Sequence, residues 1–187
     1  SFALDQLLAS PLGERVDTQR IVAAGHSYGA NTTLLAAGAR VQREGQRVDL
    51  HDERLSAAVL LSAPPFYGEA DASRILGAVK MPTLHITATG DVIRIPGYWS
   101  GAEDRIAVFD AIGSQPKALA VFEGGSHSMF TDRPGTGGAE LNPRVKRATK
   151  ELSLAFLQTT FGQGNGWAWP QWVERHREII AKHDGAF

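Results

Sequence analysis

Cysteine is absent from the 187 residues. That removes thiolate nucleophiles, disulfide frameworks and cysteine-ligated zinc, while leaving oxidising and reducing compartments equally open. Blocks of one charge are missing too: 19 Lys and Arg stand against 20 Asp and Glu, for a formal net charge of -1. Such a balance supplies no electrostatic attraction to nucleic acid or to an anionic membrane surface. Long apolar runs are also lacking. The longest aliphatic stretch, Ala57 to Leu61, falls far short of the roughly 20 residues that cross a bilayer, so no membrane span is expected. The opening SFALDQLLAS has helical spacing at Phe2, Leu4, Leu7 and Leu8, unlike a signal peptide. The length suits one domain of ordinary size, with a core that needs no staple.

What is present alternates. Arg20 to Ala24 (RIVAA), Ala57 to Ser62 (AAVLLS), Thr83 to Ala88 (TLHITA) and Ala118 to Glu123 (ALAVFE) are short, nearly continuous apolar runs. Between them lie helical patterns from Tyr28 to Gln42, around Ala72 to Val79 and around Ile106 to Ile112. Buried aliphatic strands separated by helices predict an α/β fold, with a mostly parallel sheet and helices on both faces. Asn142 to Phe161 reads as a last long amphipathic helix, with Pro143 in its first turn and Gly162 past its end. Residues 1–162 are therefore one unit. Residues 163–187 read as a linker and a tail carrying Trp167, Trp169 and Trp172, ending in a short polar helix that runs to His183.

Gly25-His26-Ser27-Tyr28-Gly29 fits G-x-S-x-G, the sharp strand-to-helix turn that lifts a serine oxygen above a sheet. It stands directly between a strand and a helix, as that motif requires, and the glycines are expected to prevent collisions across the turn. A serine nucleophile needs a base, and the base an orienting carboxylate. Asp91 follows the third strand and His127, in Gly124-Gly125-Ser126-His127-Ser128, follows the fourth. Open parallel sheets gather their chemistry at such strand ends. Glu69 is the alternative acid; Asp104, Asp110 and Asp132 sit in helical or late-loop contexts. Of the other histidines, His85 points into the core, His51 lies in a polar loop, and His26 is expected to face away from Ser27. His176 and His183 could share a helix face, yet without a carboxylate set they predict no metal site. The glycine-rich 134–138 stretch lacks the G-K-[ST] of a phosphate loop, so no cofactor is expected.

Ser27, Asp91 and His127 stand in the chain order nucleophile, acid, base, and with the strand pattern the sequence resembles the α/β-hydrolase superfamily along nearly its whole length. His26-Ser27-Tyr28-Gly29 and Thr89-Gly90-Asp91 followed by Pro96-Gly97-Tyr98 are similar to dienelactone-hydrolase-like and acetylhydrolase-like esterases. The resemblance implies a serine esterase with a triad and an acyl-enzyme intermediate, the Tyr28 N–H helping to hold the oxyanion. In the family several strands precede the nucleophile strand, whereas here none does. The chain is accordingly expected to be the carboxyl-terminal part of a longer enzyme, lacking the amino-terminal strands and the loop that gives a second oxyanion donor. One such donor is typically worth about 10²- to 10³-fold in rate.

Phe66, Tyr67, Tyr98, Trp99, Met129 and Phe130 follow strands close to the triad and are expected to line a pocket for apolar acyl or aryl esters. A thioester, amide or peptide bond would suit the same residues. The strand from Arg20 to Ala24 is expected to form an unprotected apolar edge, open to a partner chain or to the missing half. That edge keeps a different reading open, a non-catalytic interaction domain.

Overall fold

The computed structural model describes residues 1–131, 140–163 and 168–185. Its centre is a five-stranded sheet of order β1-β4-β5-β8-β9, formed by β1 (Ile21–His26), β4 (Leu55–Leu61), β5 (Thr83–Ala88), β8 (Lys117–Phe122) and β9 (Ile180–Gly185). The first four strands run parallel and β9 runs antiparallel to β8.

Strand alternation sorts the side chains into two layers. Ala57, Val59, Leu84, Ile86, Ala88, Ala118, Ala120 and Phe122 share one buried cluster with Val145, Ala148, Leu152 and Phe156 of α5 (Leu141–Thr160) and with Trp169 and Trp172 of α6 (Ala168–His176). On the opposite side Leu60 packs with Ala30 and Leu34 of α2 (Tyr28–Ala36), Ile75 and Leu76 of α3 (Ala72–Leu76) and Val108 of α4 (Ala102–Ala111). The stripe on α5 advances by three, four and four residues, which keeps one face of the helix on the sheet. Fully burying a side chain such as Phe156 or Leu152 stabilises by about 1.5 to 3 kcal/mol. Among the described residues no helix is long and apolar enough to cross a membrane.

Several elements differ from the sequence reading. The helix after Ser27 stops at Ala36, and Val41–Arg43 (β2) and Gln46–Val48 (β3) form a hairpin turned by Glu44 and Gly45, both in the left-handed region. A second hairpin, Ile93–Ile95 (β6) with Tyr98–Ser100 (β7), follows Asp91. Three-residue strands carry too little periodicity to stand out from loops. The tail is no helical appendage: α6 ends at His176, and residues through Gly185 pair with β8. Ile179 is buried in the same cluster as Phe156, so the chain turns there to close the core and continues along the free side of β8. His176 and His183 therefore share no helix face. His176 contacts Glu151, and the His183 ring meets Trp169 edge-on. Asp132, the 134–138 stretch, Trp167 and the 164–166 part of the linker lie outside the described residues.

Among the described residues β1 forms one edge of the sheet, paired on β4 alone. α1 (Phe2–Ala9) buries none of its side chains, despite its apolar spacing.

Candidate active site

β1 delivers Ser27 at its carboxyl end. The Ser27 N–H continues the β1–β4 ladder to the Leu61 carbonyl at 2.9 Å, while its own carbonyl accepts from the Ala30 N–H at 2.9 Å and starts α2. One residue thus serves both strand and helix, and its backbone is forced to φ 58, ψ -127. That conformation costs an L-residue energy and persists only where the surrounding structure imposes it. Gly25 is needed beneath it, because a Cβ there would collide with the Gly29 carbonyl. The second motif glycine has no such role, since a Cβ on Gly29 meets open space. The expectation that both glycines prevent collisions therefore holds for Gly25 alone.

Asp91 follows β5 and is fully buried. Its Oδ2 accepts from the Thr87 hydroxyl at 2.7 Å, and its Oδ1 accepts from His127 Nδ1 at 2.8 Å. Arg105 of α4, 2% exposed, brings its Nε to 3.5 Å from Asp91 Oδ2. Burial pushes the Asp91 carboxyl up, but hydrogen bonds from His127 and Thr87, the neighbouring Ser62 hydroxyl and the Arg105 charge outweigh it and hold the group below its ordinary value. The carboxylate is thus ionised although fully enclosed. Gly90 serves the same junction: a Cβ there would strike the Gly125 carbonyl, so its lack of a side chain lets the acid loop pass against the His127 loop.

His127 Nε2 stands 2.7 Å from Ser27 Oγ. With Nδ1–H directed at Asp91, Nε2 is the acceptor and the serine hydroxyl donates. Ser27, His127 and Asp91 form one hydrogen-bonded relay across the carboxyl ends of β1, β8 and β5. The Tyr28 N–H lies in the first turn of α2, whose leading N–H groups have no intrahelical acceptor. The alternative acids lie elsewhere. Glu69 pairs with Arg43 and Arg74, Asp104 accepts from the Gly101 N–H at the start of α4, and Asp110 offers its carbonyl to Lys117.

A cleft of about 530 Å³ reaches Tyr28, the residue after Ser27, and its wall also includes Asn31, Phe66, Tyr67, Ile95 and Tyr98. The Tyr67 and Tyr98 rings lie 4.8 Å apart, and the Tyr67 hydroxyl is held by Ser100 Oγ at 2.5 Å. The remaining three expected pocket residues sit differently. Met129 is wholly buried in the core, because its N–H bonds the Ser126 carbonyl and the resulting turn folds the side chain under the loop. Phe130 packs on the same core with its ring edge near His26. Trp99 projects from β7 opposite Arg94 and is 55% exposed. A further hollow of about 340 Å³, lined by charged side chains of α5 and α6, shares no residue with the relay.

Three side chains were not foreseen. Arg105 occupies a core position of α4, in step with Val108, Phe109 and Ile112, so a charged residue on an apolar stripe was its signal. Thr87 faces the same way as His85 along β5. His26, expected to turn away, instead stacks on His127 at 4.9 Å and reaches its carbonyl oxygen with Nε2 at 2.8 Å. His85 is buried as expected. Burial, with the Lys117 charge, lowers its pKa to about 3, and it bonds Thr83 Oγ1. Among the described residues no three His, Asp or Glu side chains gather as a metal site.

No family model matches the chain, and no curated protein matches it in sequence. Among solved structures it is similar to a puromycin hydrolase, at 14% identity and a TM-score of 0.55 over 86% of this chain and 24% of that one. It is similar also to a puromycin-hydrolyzing peptidase from Mycobacterium tuberculosis, at 20% identity and a TM-score of 0.54 over the same shares. The chain has an α/β-hydrolase fold. A cold-adapted esterase from an Arctic intertidal metagenomic library aligns at 19% identity and a TM-score of 0.46, over 70% of this chain and 48% of that one. The chain spans about a quarter of the length of the two puromycin-hydrolysing structures and about half that of the esterase. On this α/β-hydrolase sheet the three relay residues each follow the carboxyl end of a parallel strand, where such sheets gather their sites.

Proposed function

We propose that residues 1–162 carry the catalytic triad of a serine hydrolase that cleaves carboxylic esters through an acyl-enzyme, with residues 168–185 completing its core and sheet. The observation that carries the reading is the relay itself, 2.7 Å from Ser27 Oγ to His127 Nε2 and 2.8 Å from His127 Nδ1 to Asp91 Oδ1. Ser27 Oγ attacks the ester carbonyl as its proton passes to His127 Nε2. Asp91, kept ionised, fixes the Nδ1–H tautomer and stabilises the imidazolium. The Tyr28 N–H steadies the oxyanion. His127 then protonates the departing alkoxide, and water repeats the sequence to free the acid.

Phe66, Tyr67 and Tyr98 in the cleft favour small or medium apolar acyl or aryl groups over charged ones. The experiment is labelling with a fluorophosphonate, on this chain and on Ser27→Ala, with mass mapping of the adduct. It is followed by turnover of p-nitrophenyl butyrate beside butyryl p-nitroanilide. Labelling at Ser27 and a preference for the ester support the reading, whereas labelling with amide preference moves it to an amidase. A folded chain that takes no label supports the second reading, an interaction domain docking a partner strand. That reading draws on the half-covered apolar β1 edge.

A further inference from the structure

The His127 loop is tied at its start by the Gly124 N–H, which donates to Thr89 Oγ1 at 2.8 Å. It leaves β8 through Gly124 and Gly125, both at positive φ, and reaches the core again only at Met129. Yet the proposed reaction, on which this inference rests, needs the imidazole within hydrogen-bonding reach of Ser27 while it takes and returns a proton. We propose that His26 is the positioning residue that locks His127 against the nucleophile.

Two contacts carry the assignment. His26 Nε2 lies 2.8 Å from the His127 carbonyl oxygen, and the two rings stack with centroids 4.9 Å apart and planes 30° from parallel. A carbonyl only accepts, so His26 Nε2 must carry a proton. His127 has the opposite arrangement, Nδ1–H donating to Asp91 and Nε2 accepting from Ser27. Within the stacked pair, His26 Nε2 therefore donates while His127 Nε2 accepts. His26 is also covalently next to Ser27, so the contacts close a ring. It runs from Ser27 Oγ through the His127 imidazole and backbone to its carbonyl oxygen, across to the His26 ring and back along the chain to Ser27. A shift of the loop away from the nucleophile breaks both hydrogen bonds together. The Phe130 ring, 6.0 Å from that of His26, adds an apolar contact to this arrangement.

The donor and the ring can be separated by substitution. His26→Phe keeps a stacking ring and removes the donor, while His26→Gln restores an N–H near the Nε2 position without the ring. On p-nitrophenyl butyrate, His26→Phe is expected to lower kcat by about 10- to 100-fold, the scale of a misplaced catalytic group, with KM changed by less than about twofold. His26→Gln is expected to recover kcat to within about fivefold of the parent, since one neutral hydrogen bond is restored. Equal losses in kcat for both variants, or an unchanged kcat in His26→Phe, overturn the assignment. Long-range ¹H–¹⁵N spectra of the parent's histidine rings test it without turnover or any variant. Nε2–H on His26 with Nδ1–H on His127 supports the brace, and a His26 Nε2 without a proton overturns it. If the parent takes no fluorophosphonate but shows these tautomers, the hydrolase reading has failed and the brace has not.

Discussion

β1 and β5 both end in a member of the relay, but they sit in different surroundings. Every residue of β5 is buried, with partner strands on both sides. β1 has one partner strand and no fully buried residue. Asp91, after β5, is gripped by Thr87, Arg105 and His127. Ser27, after β1, depends on a strained turn, the Leu61 carbonyl and the His127 ring. Asp91 is thus set by the core, whereas Ser27 is set by the edge of the sheet and by what crosses to it from the loops. Stability and reactivity should respond to different substitutions.

The largest effect expected is on the edge side. Ser27→Ala should abolish fluorophosphonate labelling and lower ester turnover by at least about 10³-fold, with the melting temperature little changed. On the core side, Arg105→Leu should leave the Asp91 carboxylate enclosed without its cation. The expected loss is about 3 to 5 kcal/mol, read as a shift in the urea midpoint; an unchanged midpoint would show that β5 is less tightly determined than its burial implies.

The pH dependence of stability sharpens the contrast, because His85 and Asp91, both buried with lowered pKa values, belong to β5 or its end. The unfolded chain protonates histidine near pH 6.5, and His85 in the folded chain resists until about 3. Between those values the unfolded state binds more protons. Stability is therefore full above about pH 6.5 and falls by about 1.4 kcal/mol per unit below it. His85→Leu should flatten that slope in urea titrations at pH 7, 5.5 and 4.5. Asp91 acts lower: its contribution is present above its unfolded value of about 3.9 and is lost as pH falls through its depressed folded value.

Smaller still, amide hydrogen exchange should run at least about tenfold faster in β1 than in β5, as edge elements open at lower cost; equal rates would dissolve the comparison. The smallest effect is expected of Ala24→Lys on the exposed face of β1. It should cost under about 0.5 kcal/mol and reduce self-association seen by light scattering, since a charge blunts an apolar edge.

The same contrast explains what could be read from the sequence. The four parallel strands were legible because burial on both faces leaves near-continuous aliphatic runs, and the relay was legible because its members follow those runs in order. His26 turns toward His127, against expectation, because the positive φ of Ser27 ends regular strand geometry beside it. Met129 was misplaced because a turn from Ser126 reverses it into the core, a tertiary event without local periodicity. Arg105 escaped because it pairs with a residue on another element. β9 escaped because the free side of β8 selects its conformation; its own sequence, IAKHDG, has the polarity of a solvated helix.

The β6–β7 hairpin leaves the sheet just after Asp91 and returns just before α4, whose Arg105 comes back to the same carboxylate. Its stem is thereby closed by an ion pair, while Ile95 and Tyr98 near its tip face the cleft. A Cβ on Gly97 at that tip meets only open space. The hairpin is in effect an exchangeable cassette. The left-handed φ of Gly97 keeps glycine favoured at the turn itself, while residues added around it leave the carboxylate at the base undisturbed.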